Sequence, residues 1–92
     1  MASLSCPSSV NYNQAANCNF SILSNFGAYT INIDYGDGNN EDNNVTDGTI
    51  PITHTYTSYN DYIVTVMIYL TGATYSQTIQ VNSGERIRLL EI

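Results

Sequence analysis

Basic residues are nearly missing from this chain of 92 residues, which contains only two Lys or Arg and has a formal net charge of −6. Both of them, Arg86 and Arg88, lie close to the carboxyl end, so residues 1–84 contain acidic side chains and no Lys or Arg. A surface of this sign repels nucleic-acid phosphates and anionic lipid headgroups. We therefore expect no nucleic-acid partner and no binding to a membrane surface.

Long apolar runs are also missing. A helix that crosses a bilayer needs about 20 mostly apolar residues, and no such run occurs, so we expect no membrane insertion. The start of the chain has no basic region followed by an apolar core, so we expect that these residues are not a signal peptide. We expect one domain at residues 1–83, excised from a longer chain that carries any targeting signal. Residues 84–92 differ in composition and are interpreted as a linker or the start of a following segment.

What the chain has is a succession of short segments in which apolar and polar residues alternate, the pattern of half-buried strands. The longest lies in the stretch His54–Leu70 and alternates from Tyr62 onward, with Tyr62, Val64, Val66, Ile68 and Leu70 on one face. Its other face is also half apolar, which predicts a strand inside a sheet.

Without helical spacing anywhere, the pattern predicts an all-β antiparallel sandwich of about seven strands, present as a monomer. The further strands are predicted at Leu4–Cys6, Ala16–Ile22, Tyr29–Tyr35 and Tyr75–Val81. The predicted core consists of Phe20, Ile22, Ile31, Ile33, Tyr62, Val64, Val66 and Ile79.

The segments between these strands are less regular. Ser8–Asn17 is polar and predicts a crossing loop or a strand broken midway. Asn39–Gly48 is polar and acidic and predicts a loop, followed by a short edge strand at Thr49–Thr53, where a proline cannot donate to a central ladder. Turns are predicted at Ser24–Gly27, Ser58–Asp61 and Thr71–Ala73, and Tyr62 has the position of a tyrosine corner.

Residues 33–38 read IDYGDG, and after a variable loop residues 54–56 read HTY and residues 62–66 read YIVTV. Together these segments resemble the PKD (polycystic kidney disease) domain. The family has an aromatic residue followed by Asp, an aromatic residue and Gly-Asp-Gly, then His-x-Tyr, a turn and Tyr-x-Val-x-Val. Ile33 stands where the family usually has Trp, and Tyr59-Asn60 replaces a Pro-Gly turn. The matched motif residues are Asp34, Tyr35, Gly36, Asp37, Gly38, His54, Tyr56, Tyr62, Val64 and Val66.

The resemblance implies an immunoglobulin-like β-sandwich from the extracellular or cell-surface part of a larger protein. Such a module is rarely catalytic and acts as a spacer, an adhesion unit or a force-bearing link. A second hypothesis is an accessory domain that helps a secreted hydrolase, a protease or a polysaccharide-degrading enzyme, to engage its substrate. The expected partners are neighbouring domains and a protein or glycan ligand that the sequence does not identify.

Catalysis and metal binding find little support. The chain has one histidine, His54, and no constellation of nucleophile, base and orienting group can be assembled from the sequence around it. His54 is therefore interpreted as structural, and we expect no enzyme activity. The acidic residues could supply oxygen ligands to calcium, as in some PKD domains of secreted collagenases. Their spacing does not match a twelve-residue calcium loop, and a turn followed by a solvated loop is the favoured interpretation. These acidic residues are Asp34, Asp37, Glu41, Asp42 and Asp47.

Cys6 and Cys18 are the only cysteines and allow three interpretations: a zinc half-site, two free thiols or a disulfide. Zinc is disfavoured because the sequence offers only one further ligand, His54, on another strand. Both cysteines fall on the inward phase of neighbouring predicted strands, which favours a disulfide.

Two further groups of residues are exposed in the predicted fold. Asn19 and Asn44 begin N-glycosylation sequons, Asn-Phe-Ser and Asn-Val-Thr. Among the eight tyrosines, Tyr59 and Tyr75 lie near turns and are the ones predicted to be free to face a ligand.

Overall fold

The computed structural model describes residues 2–22 and 27–82, and within them it contains eight strands and no helix. The strands are β1 (Ala2–Ser5), β2 (Ser9–Asn11), β3 (Ala15–Ile22), β4 (Tyr29–Asp34), β5 (Asn40–Val45), β6 (Gly48–Thr55), β7 (Asn60–Ile68) and β8 (Thr74–Asn82). Because the described residues contain no helix, none of them forms a segment that could cross a membrane as a helix.

The strands form two sheets. The first sheet has the order β1-β3-β6 and the second has the order β2-β8-β7-β4-β5. All neighbours are antiparallel except β2 and β8, which are parallel. The all-β sandwich predicted from the alternating segments is confirmed, and β7 lies inside its sheet, as its two partly apolar faces predicted.

The core lies between the inward faces of the two sheets. All eight residues predicted for it are buried, each with at most 8% of its surface exposed. Further buried residues pack with them. These are Ala16, Cys18, Tyr29, Ile52 and Tyr56. The period of two therefore located the core correctly, because it depends only on which face each side chain occupies.

The prediction of a loop at Asn39–Gly48 is wrong, because residues Asn40–Val45 form strand β5. This strand pairs with β4 along its whole length, and polar side chains connect the two. Thr30 Oγ1 donates to Asn44 Oδ1 over 2.6 Å, and Asn32 Nδ2 donates to Asp42 Oδ1 over 2.9 Å. An edge strand needs only one paired neighbour and commonly carries charged residues, so it gives no apolar alternation in the sequence.

Other boundaries differ less. The edge position of the proline-containing strand is confirmed, although β6 is longer than predicted. Leu70 was predicted on the inward face, but β7 ends at Ile68 and Leu70 is 61% exposed in the turn that follows. The irregular segment Ser8–Asn17 contains the short strand β2. Most of the predicted turn at Ser24–Gly27, and the predicted linker at 84–92, lie outside the described residues.

The register defines two ends of the sandwich. At one end, called here the Ala2 end, Ala2 pairs with Ile22, which pairs with Gly48. At the other, called the Asn82 end, the Tyr12 amide donates to the Asn82 carbonyl and the Asn13 amide donates to the Tyr56 carbonyl. The first and last described strands therefore leave the sandwich at opposite ends.

Candidate functional site

The loop after β4 brings the motif residues together at the Asn82 end. Gly36 has a φ of +84°, and a Cβ atom placed on it would lie 2.5 Å from the carbonyl oxygen of Ile63. Only glycine fits this combination of left-handed backbone and close approach. The Gly36 amide donates to Asp34 Oδ1 over 2.9 Å, and the Tyr35 amide donates to the Asn39 carbonyl. The loop is thus fixed from both sides of the glycine.

Asp37 and His54 form the central polar contact of this cluster. Asp37 Oδ2 accepts a hydrogen bond from His54 Nε2 over 2.7 Å, with both side chains largely buried. Asp37 Oδ1 also accepts from the backbone amide and the side-chain amide of Asn39. Partial burial alone would raise the pKa of Asp37, but the hydrogen bonds from His54 and Asn39 outweigh it and hold the pKa below its usual value.

Four aromatic rings pack in series behind this contact. The His54 ring stacks on Tyr35 with centroids 4.0 Å apart and meets Tyr56 edge to face at 4.8 Å. Tyr56 then stacks on Tyr62 at 4.3 Å. Stacked and edge-to-face rings contribute beyond their burial, so the series joins the loop after β4 to β6 and β7.

The hydroxyl groups of these tyrosines all find acceptors. Tyr56 Oη donates to the Tyr35 carbonyl over 2.6 Å, and Tyr35 Oη donates to Glu41 Oε1 over 2.5 Å. Burial raises the pKa of Tyr56 to about 12, with a further contribution from the Asp37 charge. Burial and the hydrogen bond to Glu41 raise the pKa of Tyr35 well above its ordinary value.

Tyr62 forms the tyrosine corner that its position after a turn predicted. Its hydroxyl donates to the Ser58 carbonyl over 3.1 Å and also contacts the Ser58 hydroxyl. The two following motif residues, Val64 and Val66, are buried in the core. The motif residues of β7 therefore fix the turn and fill the space between the sheets.

The acidic residues considered for calcium accept hydrogen bonds from different donors within the protein. Asp34 accepts from Gly36, Asp37 from His54 and Glu41 from Tyr35. Asp42 accepts from Asn32 Nδ2 and from Tyr69 Oη, and these hydrogen bonds lower its pKa. Across residues 2–22 and 27–82, no three His, Cys, Asp or Glu side chains are grouped in a way that could hold a metal ion.

The remaining predicted residues lie away from this cluster. Cys6 and Cys18 are joined in a disulfide that links the end of β1 to β3. Asn19 and Asn44 are both exposed, on β3 and β5. Tyr59 is 60% exposed and packs edge to face on Tyr12, whereas the prediction for Tyr75 is wrong. The Tyr75 ring packs 5.5 Å from the Phe20 ring and is partly buried against the core.

Sequence reasoning missed one member of the cluster, Glu41, as the partner of Tyr35. Glu41 lies on β5 opposite Ile33, a register that brings its side chain within reach of Tyr35. Only the pairing of β5 with β4 reveals this contact, and the polar sequence of β5 contains no periodic signal for that pairing.

The geometry of the cluster is that of a packing centre. His54 Nε2 is hydrogen-bonded to Asp37, and tyrosine rings cover the imidazole on one face and at one edge. Each of the other polar groups discussed above is used within the loop or by a neighbouring strand. The arrangement can fix the end of the sandwich, and its groups are engaged with one another.

Comparison with known proteins gives a match at the level of structure. No protein-family model matches the sequence, and no curated protein matches it. Among solved structures, the chain is similar to the PKD domain of an M14-like peptidase from Thermoplasmatales archaeon SCGC AB-540-F20. The TM-score is 0.73 at 18% sequence identity, and the alignment covers 89% of this chain and 93% of that chain. With this match and the motif contacts described above, the chain has the fold of a PKD domain, an immunoglobulin-like β-sandwich.

Proposed function

We propose that the chain is a non-catalytic extracellular module of a larger secreted or cell-surface protein, and that it acts as a mechanical spacer between neighbouring domains. The observation that carries this proposal is the exit of the first and last described strands at opposite ends of the sandwich. A module with this geometry extends a chain of domains in line, and any tension passes through its length.

The pairing of the last strand supports a load-bearing role. β8 lies between β7, to which it is antiparallel, and β2, to which it is parallel. Tension along β8 loads both ladders in shear, so many backbone hydrogen bonds resist together. Opening the same strand from the β7–β8 turn would break the bonds one after another.

The disulfide supports the proposal at the other terminal strand. Cys6 lies directly after β1, and its bond to Cys18 passes tension from β1 into β3. Residues 7–17, which include β2, are enclosed in this ring and are shielded from the pull. Disulfides persist in oxidising compartments, which supports a location outside the cytoplasm.

The non-catalytic part of the proposal rests on the contacts that His54 makes within the fold. Its contacting nitrogen is used by Asp37 and its ring is covered by Tyr35 and Tyr56. A general base needs a nitrogen within reach of a substrate proton, and this histidine is committed to packing instead.

Force spectroscopy with two pulling directions tests the spacer function. One set of molecules is held through the two ends of the described domain. A second set is held through Asn82 and a handle placed at the exposed Asn60, which lies at the same end of the β7–β8 ladder, opposite Val81. We expect a clearly higher unfolding force in the first direction, because it shears β8 while the second unzips it. Equal forces in the two directions would overturn the proposal.

A second candidate function is an accessory domain of a secreted hydrolase. It is favoured by one observation, that the similar solved structure is a domain of an M14-like peptidase. In this function the module binds a protein or glycan fibre that its enzyme degrades. Retention of the purified chain on collagen, cellulose or chitin, compared with a column of uncoated matrix, would support this candidate over the spacer.

A further inference from the structure

The outer face of the first sheet carries no charge. All six Asp and Glu of the described residues lie in the second sheet or in the loops of residues 34–47, and Lys and Arg are absent from the part described. The outward residues of β1, β3 and β6 are small or polar and neutral: Ser3, Ser5, Ala15, Asn17, Asn19, Ser21, Thr49, Pro51, Thr53 and Thr55. This face thus lacks the ionic hydration that keeps the rest of the surface separated from other molecules.

Asn19 lies in the middle of this face. It is on the central strand β3, with Ser5 of β1 on one side and Pro51 of β6 on the other. It is exposed, and its amide makes no hydrogen bond to any other described side chain. The short neighbours leave room above the sheet for a bulky group on the Asn19 nitrogen.

The hydroxyl group of the same sequon is held differently. Ser21 Oγ lies 3.4 Å from Thr49 Oγ1, so the third residue of the sequon is engaged with β6. The backbone of β3 is paired on both sides, and the adjacent Cys18 is fixed by the disulfide. An enzyme that must bind the sequon as a free extended segment can do so only before these pairs form.

The second sequon is in a different setting. Asn44 is on the edge strand β5, which has one paired neighbour, and the Thr46 that completes the sequon follows the strand. Its Oδ1 atom accepts a hydrogen bond from Thr30, but no covalent bond restrains the strand. Local opening of an edge strand costs less than removal of a central one.

We propose that Asn19 carries an N-linked glycan that covers the neutral face of the first sheet, and that this glycan is added before β3 pairs and Cys6–Cys18 closes. The proposal rests on the extracellular location proposed above. The donor is a lipid-pyrophosphate-linked oligosaccharide. Asn19 Nδ2 bonds to the anomeric carbon of the sugar, the bond from that carbon to the pyrophosphate oxygen breaks, and the lipid pyrophosphate leaves with the electron pair. The amide nitrogen loses one proton to the transferase.

Expression behind a secretory leader in a eukaryotic host tests the proposal. Asn44→Gln leaves only the Asn19 sequon, and Asn19→Gln leaves only the Asn44 sequon. Each is prepared with the cysteines intact and with Cys6→Ser and Cys18→Ser together, and glycan occupancy is measured by mass before and after enzymatic deglycosylation. We expect Asn19 to be partly occupied, with occupancy rising roughly twofold without the cysteines, because disulfide formation takes seconds or longer and competes with transfer.

A matched control separates this effect from general destabilisation. Ile79→Val weakens the core from the second sheet and leaves the disulfide intact, so it should leave Asn19 occupancy unchanged. The Asn44 sequon should respond to cysteine removal less than Asn19 does. Absence of glycan at Asn19 in every background would overturn the site. Full occupancy in both cysteine backgrounds, or an equal rise at both sequons or with Ile79→Val, would overturn the order of events. The force measurements on unglycosylated protein are independent of either outcome.

Discussion

At position 36 the backbone conformation and a neighbouring backbone atom together require glycine. Gly36 combines a left-handed φ of +84° with a Cβ position only 2.5 Å from the Ile63 carbonyl oxygen, a backbone atom that cannot rotate away. We expect Gly36→Ala to lower the free energy of unfolding by more than about 2 kcal/mol, since the left-handed conformation alone costs about 1–2 kcal/mol. Urea denaturation measures this loss.

Gly38 is the matched control for Gly36. Its φ is +94°, but a Cβ atom there would meet nothing within 4 Å. Gly38→Ala should therefore show the conformational cost without the clash. Equal losses in the two variants would show that the approach of Gly36 to β7 contributes nothing to stability.

Asp37 connects the stability of the Asn82 end to pH. Its pKa in the folded protein lies below its ordinary value. The carboxylate therefore stabilises the fold at pH values above the pKa that Asp37 has in the unfolded chain, and this contribution is lost as the pH falls through the folded-state pKa. Asp37→Asn should be less stable at neutral pH and should lose less further stability between pH 5 and pH 2.

Thermal unfolding across this pH range checks the prediction for Asp37. Asn39→Ala removes a side-chain donor to Asp37 but keeps the carboxylate, so it should retain most of the acid-dependent loss. If Asp37→Asn and the parent lose stability in parallel on acidification, the His54–Asp37 contact is not the acid-sensitive one.

At the scale of single residues, the sequence predicted those features that require a particular residue type at a fixed spacing. The glycine, the Asp37 motif position and the tyrosine corner could be located because each needs a particular residue at a fixed distance from a strand end. The stacking of His54 on Tyr35 and the hydrogen bond to Glu41 could not, because both depend on how separate strands are placed.

Among the elements, β7 and β5 show why some strands are visible in a sequence and others are not. β7 is buried on one face and has neighbours on both sides, so its residues alternate strictly. β5 is mostly exposed and held by backbone pairing and an Asn-rich ladder, with half-buried positions only at Asn43 and Val45. β2 is three residues long and is defined by its parallel partner, β8. Burial creates periodicity, and strands without it need the partner to be known.

Among the elements, β1 is a strand of only four residues at the edge of its sheet, and the disulfide restrains it. Replacing both cysteines, Cys6→Ser with Cys18→Ser, should lower the free energy of unfolding by about 3 kcal/mol on the chain-entropy estimate for a ring of this size. Guanidinium denaturation of the oxidised parent and of the variant measures the difference. A loss below about 0.5 kcal/mol would contradict an entropic role for the ring.

At the scale of the whole molecule, charge and the covalent restraint of the disulfide are distributed unequally between the two sheets. The acidic residues lie on the second sheet and its loops, and the first sheet contains the disulfide and the neutral face. Neither division can be seen in the composition, because it depends on which strands join which sheet. The same assignment places β2 within the disulfide ring yet in the second sheet, so the ring links the two sheets along the chain.

This connection determines how the molecule should fail under tension. The Gln80 amide donates to the Ser8 carbonyl, toward β2, and amides alternate in direction along a strand, so the Ile79 amide points toward Tyr62 of β7. Ile79→Pro removes that donor and a fully buried side chain. We expect a sharp fall in unfolding force, while Ile79→Val, which keeps the amide, should unfold near the parental force.

The cysteine variant gives a second force measurement, made on tandem copies of the module, because removal of the disulfide changes the path that the tension takes. With the disulfide intact, the ring of sequence separation 12 stays closed as the module unfolds. In Cys6→Ser with Cys18→Ser the ring can open, which adds about 40 Å of contour length per module at 3.3–3.6 Å per residue. The unfolding force should also fall, since tension now passes from β1 into β2 instead of through the disulfide into β3. If Ile79→Pro folds and unfolds at the parental force, β8 does not carry the load and the spacer function loses its main support.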